Sequence, residues 1–171
     1  SPVPPLNAIF NNKRIYTIGK NQSGKMELSE ATIENTFKTI LLQNKIPDLK
    51  AFSLAFVADT KLLISGGKGE DVQRNQMTII DLDDNTCKSV KIIGQITPPR
   101  TNFATVSVKS GEYYFVYSFG GYINSKVTND FEISIFSGSS FTMCSTKTYS
   151  MLRGPCARAY HTMIEGNGKI Y

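Results

Sequence analysis

His161 is the only histidine in the 171-residue sequence, which limits the acid–base chemistry that the side chains could perform. An imidazole drives nucleophilic catalysis when a serine or cysteine and a carboxylate align with it. The stretch Arg158-Ala-Tyr160-His161 brings neither by its spacing. Cys87, Cys144 and Cys156 lie far apart and form no C-x-x-C pair. One histidine is too few to complete a zinc set with them, and an odd count does not make a disulfide framework. They read as buried, reduced thiols. Cys156, between Pro155 and Ala157, is the one candidate for exposure, with only Arg153 and Arg158 nearby to favour its thiolate. No catalytic residue, metal or cofactor is expected.

A second pattern points to phosphate chemistry. Gly19-Lys-Asn-Gln-Ser-Gly24-Lys25-Met26 nearly matches G-x-x-x-x-G-K-[ST], follows an apolar strand and precedes a segment, 27–44, readable as a helix. In such a loop backbone N–H groups cradle phosphates and the final hydroxyl ligates magnesium. Met26 cannot hold a hard cation, and 27–44 breaks readily into two Thr- and Ile-bearing strands. The plainer reading is a loop between strands, with a nucleotide-binding hydrolase as the lesser alternative.

The elements that position these residues recur. Three apolar strands run into a glycine pair or its remnant: Arg14-Ile-Tyr-Thr-Ile-Gly19-Lys20, Lys61-Leu-Leu-Ile-Ser-Gly66-Gly67 and Tyr114-Phe-Val-Tyr-Ser-Phe-Gly120-Gly121. From Gly19 to Gly66 is 47 residues, and from Gly66 to Gly120 is 54. Upstream of each strand stands a proline and a basic residue: Pro47 with Lys50, Pro99-Arg100, and Pro155 with Arg158 in the last unit. After each pair comes a polar loop, a third strand, a turn and a short fourth strand. Four short strands per unit, punctuated by turns, predict a repeating antiparallel sheet.

Gly66-Gly67, Gly120-Gly121, Pro99-Arg100, Asn129-Asp130 and Arg158 together resemble the Kelch repeat, over essentially the whole chain. The resemblance implies an all-β fold: a Kelch-type β-propeller fragment of about three four-stranded antiparallel blades plus the start of a fourth. The units fall at about 1–46, 47–97, 98–154 and the incomplete 155–171. The tryptophan usual before the fourth strand is absent, and Phe37, Cys87 and Phe141 take its place by alignment; Lys20 replaces a second glycine. Propellers close with four to eight blades. The remaining blades are therefore expected from the rest of the same protein or from another chain.

The resemblance further implies a protein-interaction scaffold or adaptor rather than an enzyme. Its candidate contact residues, in loops at one end of the blades, are Arg74, Arg100, Asn102, Tyr122, Asn124, Lys126, Arg158, Tyr160 and His161. An enzyme built on a Kelch propeller is the alternative. The net charge of +5 is spread over turns and strand ends with no basic stretch interleaved with aromatics, so nucleic acid is not an expected partner. No run approaches the roughly 18 apolar residues that span a bilayer, so no membrane partner is expected. A cytoplasmic, cytoskeleton-associated location is expected.

Overall fold

The computed structural model describes residues 7–32, 38–69, 76–95, 97–150 and 154–171. The first sheet comprises β1 (Asn7–Asn11), β2 (Arg14–Lys20), β3 (Met26–Thr32) and β4 (Lys38–Ile40). The second comprises β5 (Ser53–Ala58), β6 (Lys61–Ser65), β7 (Met77–Asp81) and β8 (Thr86–Ser89). A short β9 (Arg100–Thr101) precedes β10 (Ala104–Ser110) and β11 (Tyr113–Phe119). The hairpin β12 (Tyr122–Ile123) and β13 (Lys126–Val127) follows, then β14 (Asp130–Ser137) and β15 (Met143–Ser150). A last hairpin is β16 (Glu165–Gly166) with β17 (Lys169–Ile170). Each four-stranded sheet is an antiparallel meander, the third in the order β10-β11-β14-β15.

The phosphate-loop alternative falls here. The Asn21 side chain accepts from the Ser23 and Lys25 N–H groups at 3.0 Å, closing a tight turn from β2 into β3. The described parts of 27–44 hold two strands and no helix: Glu27 pairs with Gly19, and Thr39 with Ser29. The expected strand at 160–164 is also not formed as such. Its ladder reaches only Ile164 with Tyr171, so His161 to Met163 lie in irregular backbone.

The middle sheet is covered on both faces, which explains its continuous apolar runs. Leu62, Ile64 and Ile80 pack against Tyr16, Ile18 and Leu28 of the first sheet. Their neighbours Leu63, Met77 and Ile79 face the other way, against Val116, Phe136 and Met143 of the third. Alternate residues thus serve alternate interfaces, as the two-residue period of a strand requires. Lys61 is buried with them because Asp81 and Asp83 each accept from its ammonium at 2.6 Å. Burial acts to lower its pKa, but the two carboxylates outweigh that and leave it raised. The ammonium also lies 5.3 Å from the centroid of the Phe141 ring. Two of the residues aligned with the missing tryptophan therefore lie between sheets: Cys87 in the first cluster and Phe141 against the second. Phe37 lies outside the described residues.

The glycine pairs tie consecutive sheets together. Gly67 N–H donates to the Arg100 carbonyl at 2.8 Å, and Gly121 N–H to that of Arg158 at 2.7 Å. A Cβ on Gly66 would sit 2.6 Å from the Arg100 oxygen and 2.5 Å from the Phe103 ring, and its φ is +65°. Only glycine fits so close an approach in that conformation. Lys20, in place of a second glycine, reaches across with its side chain instead, pairing with Asp48 at 2.9 Å. One alignment from sequence shifts by a residue. The left-handed residues Ala51, Asn102 and Tyr160 (φ 56°, 53° and 57°) fall in one register. Leu49, not Lys50, therefore stands where Arg100 and Arg158 stand, and it is core.

Candidate functional site

β1, β5 and β10 each form the edge of their sheet and are hydrogen-bonded on one side only. β5 lies between the other two: the Asn7 and Asn11 side chains tie β1 to it, and the Gly67–Arg100 latch stands just before β10. Between them, lined also by residues 161–163, runs a groove of about 450 Å³.

The polar residues along it are Ser53, Thr105, Ser107, Thr162, Asn7, Asn11 and His161, with the Ser107 hydroxyl and both His161 nitrogens themselves buried. Among the described residues no lysine, arginine, aspartate or glutamate lines it, although the chain carries 33 such residues counted together, 19 basic and 14 acidic. The two amides are held by the neighbouring sheet: Asn7 Nδ2 donates to the Phe52 carbonyl at 2.8 Å, and Asn11 Nδ2 to that of Asp59 at 3.0 Å. Four residues apart on one strand, they share a face and clamp both ends of β5. Thr105 Oγ1 lies 3.3 Å from Ser118 Oγ. Ser107 Oγ is buried and makes no hydrogen bond among the described residues.

His161 packs edge-on against Phe119, with centroids 5.5 Å apart. Neither ring nitrogen makes a hydrogen bond of good geometry among the described residues. Burial, then the Arg158 cation, pull its pKa below the ordinary value, and the Phe119 backbone opposes this slightly. The ring is therefore neutral at pH 7. Among the described residues no three His, Cys, Asp or Glu side chains gather where a metal could bind.

The contact residues expected from sequence separate in space. Arg74 lies outside the described residues. Arg100 is fully buried and offers no surface to a partner: its Nη1 donates to the Gly120 and Asp130 carbonyls, each at 3.0 Å. Burial lowers its pKa, against the pull of Glu132 and Asp130. Asn124 and Lys126 are exposed at the β12–β13 hairpin. Asn102, Tyr122, Arg158, Tyr160 and His161 do come together, around the second glycine pair and the entrance to the groove: Tyr160 N–H donates to the Asn102 carbonyl at 3.0 Å, and the Tyr122 and Tyr160 rings meet edge-on at 6.0 Å. Sequence reasoning missed the groove hydroxyls. Their signal was polar residues within the first strand of each unit, where a purely structural strand would alternate with apolar ones.

No family model matches this chain, and no curated protein matches it. Solved structures do. One, of YjhT, superposes with a TM-score of 0.58 at 13% identity, over 95% of this chain and 56% of that one. Another, of a novel α-L-arabinofuranosidase from Clostridium thermocellum, gives a TM-score of 0.50 at 14% identity, over 99% of this chain and 59% of that one. Both are β-propellers.

The chain has a β-propeller fold.

It spans little more than half the length of either structure. The expectation of a non-catalytic, protein-binding scaffold is corrected by the same finding. A propeller of this shape is the body of an arabinofuranosidase, so the fold gives no ground for setting an enzyme aside.

Proposed function

We propose that this chain forms the groove wall of a Kelch-type β-propeller enzyme that acts on a neutral carbohydrate. One observation carries the reading: a groove at the edge strands of three sheets whose polar side chains are hydroxyls and amides, with no charged side chain among the described lining residues. An anionic substrate would be held by arginine or lysine, and the described lining has neither. Hydroxyls and amides both donate and accept, which suits a sugar's ring of hydroxyls. The volume lies within the range of small-molecule sites, roughly 300–1,000 Å³. The arabinofuranosidase that shares the fold supports the substrate class. The latches from glycine N–H to the carbonyl of the following arginine support the Kelch type.

Glycosidic cleavage uses a pair of carboxyl groups as acid and base or nucleophile. The described lining has none, so this wall binds and orients the sugar, and the carboxyls belong elsewhere in the enzyme. The test is calorimetric titration with a neutral α-L-arabinose pentamer and with a uronic-acid oligomer, on the protein and on a Ser107→Ala/Thr162→Val variant. Binding of the neutral oligomer, weakened about tenfold or more by loss of the two hydroxyls, is expected. Binding of the acidic oligomer alone, or of neither, defeats the reading.

A further inference from the structure

Tyr160 is 77% exposed, yet its backbone is left-handed, with φ at +57°. That conformation is uncommon for a bulky side chain and free of cost for glycine. The fold demands it, because Ala51 and Asn102 at the matching places of the preceding units share it, and one hydrogen-bond ladder joins all three. Asn102 N–H donates to the Ala51 carbonyl, and Tyr160 N–H to the Asn102 carbonyl, both at 3.0 Å. Asparagine tolerates the conformation well and alanine is small. Tyrosine has neither excuse, and its ring recovers little by burial. Its one ring contact is edge-on, with Tyr122. Strain kept at an exposed aromatic beside a groove points to a use for the ring rather than to packing.

We infer that Tyr160, braced by Tyr122 and tied by its backbone to Asn102, is a stacking platform for a sugar ring beside the groove. This rests on the carbohydrate reading above and adds a subsite to it. The electron-rich face of an aromatic ring attracts the slightly positive C–H groups on one side of a sugar. The residue next along the chain, His161, already lines the groove. A sugar stacked on Tyr160 would therefore continue directly into it. The edge-on contact with Tyr122 limits the swing of the Tyr160 ring, and the residue stays 77% exposed beside it.

The test compares the protein with Tyr160→Gly and Tyr160→Phe, and with the Ser107→Ala/Thr162→Val groove variant. Binding of the α-L-arabinose pentamer is measured by calorimetry, and Tm by thermal melting. Tyr160→Gly is expected to weaken binding about tenfold while its Tm holds or rises, since glycine relieves the left-handed strain. Tyr160→Phe, which keeps the ring face, is expected to bind within about twofold of the parent. Should the groove variant lose affinity while Tyr160→Gly binds as the parent does, the platform is wrong and the carbohydrate reading survives. A lower Tm for Tyr160→Gly would show a structural ring and also overturn the platform. If the parent does not bind the pentamer, both fall.

Discussion

Phe103 and His161 occupy the same place in successive units: each follows an arginine by three residues, and each ring lies beneath the first glycine of a pair. A Cβ on Gly66 would meet the Phe103 ring at 2.5 Å, and one on Gly120 would meet His161 Cε1 at 2.8 Å. The site wants a flat ring of that size, and nothing in it calls for nitrogen.

His161→Phe should therefore stabilise the protein by about 1 kcal/mol, because two buried nitrogens without good hydrogen bonds give way to carbon. It should also flatten the pH dependence near neutrality. The ring's pKa in the folded protein lies below the 6.5 of the free side chain. As pH falls, the unfolded chain takes up the proton first. The stability this group permits is thus full above 6.5 and is lost as pH drops through 6.5 toward the lower folded value. Urea titrations at pH 7.5 and 5.5 measure both effects. An equal loss between those pH values in parent and variant would remove His161 as the cause.

Gly66 and Gly111 separate two costs that are usually mixed. Both have positive φ, +65° and +58°, but a Cβ on Gly111 has nothing within 4 Å, whereas one on Gly66 meets backbone and ring. Gly111→Ala should cost about 1 kcal/mol, the conformational term alone. Gly66→Ala should cost about 3 kcal/mol or more, since the latch between sheets must open. Similar urea midpoints for the two variants would show that the latch does not bear on stability.

The three thiols should divide two to one. Cys144 and Cys156 are exposed and Cys87 is buried, so Cys144 departs from the expectation of a buried thiol. Burial pushes the Cys87 thiol up to about 11, so almost no thiolate forms there at pH 8. A disulfide reagent at that pH should modify two thiols quickly and the third only in denaturant. Three equal rates would place Cys87 at the surface.

Residue types alone determined a good deal. Apolar runs ending in Gly66-Gly67 and Gly120-Gly121, with Asp83-Asp-Asn-Thr86 and similar turns between them, declare four-stranded antiparallel units, because strand period and turn preference are local properties of the backbone. The same local rules explain why the Gly19–Met26 segment folds as a hairpin turn despite its likeness to a phosphate loop. Which residues face a neighbour sheet, and which the groove, was decided only in three dimensions. Arg100 reads as a charged loop residue and is wholly buried, where carbonyls of Gly120 and Asp130, remote in sequence, accept from its Nη1. Ser53, Thr105, Ser107 and Thr162 read as ordinary strand residues. They become one neutral lining because the contacts that bring them together join separate sheets, and no local rule of sequence encodes a contact between sheets.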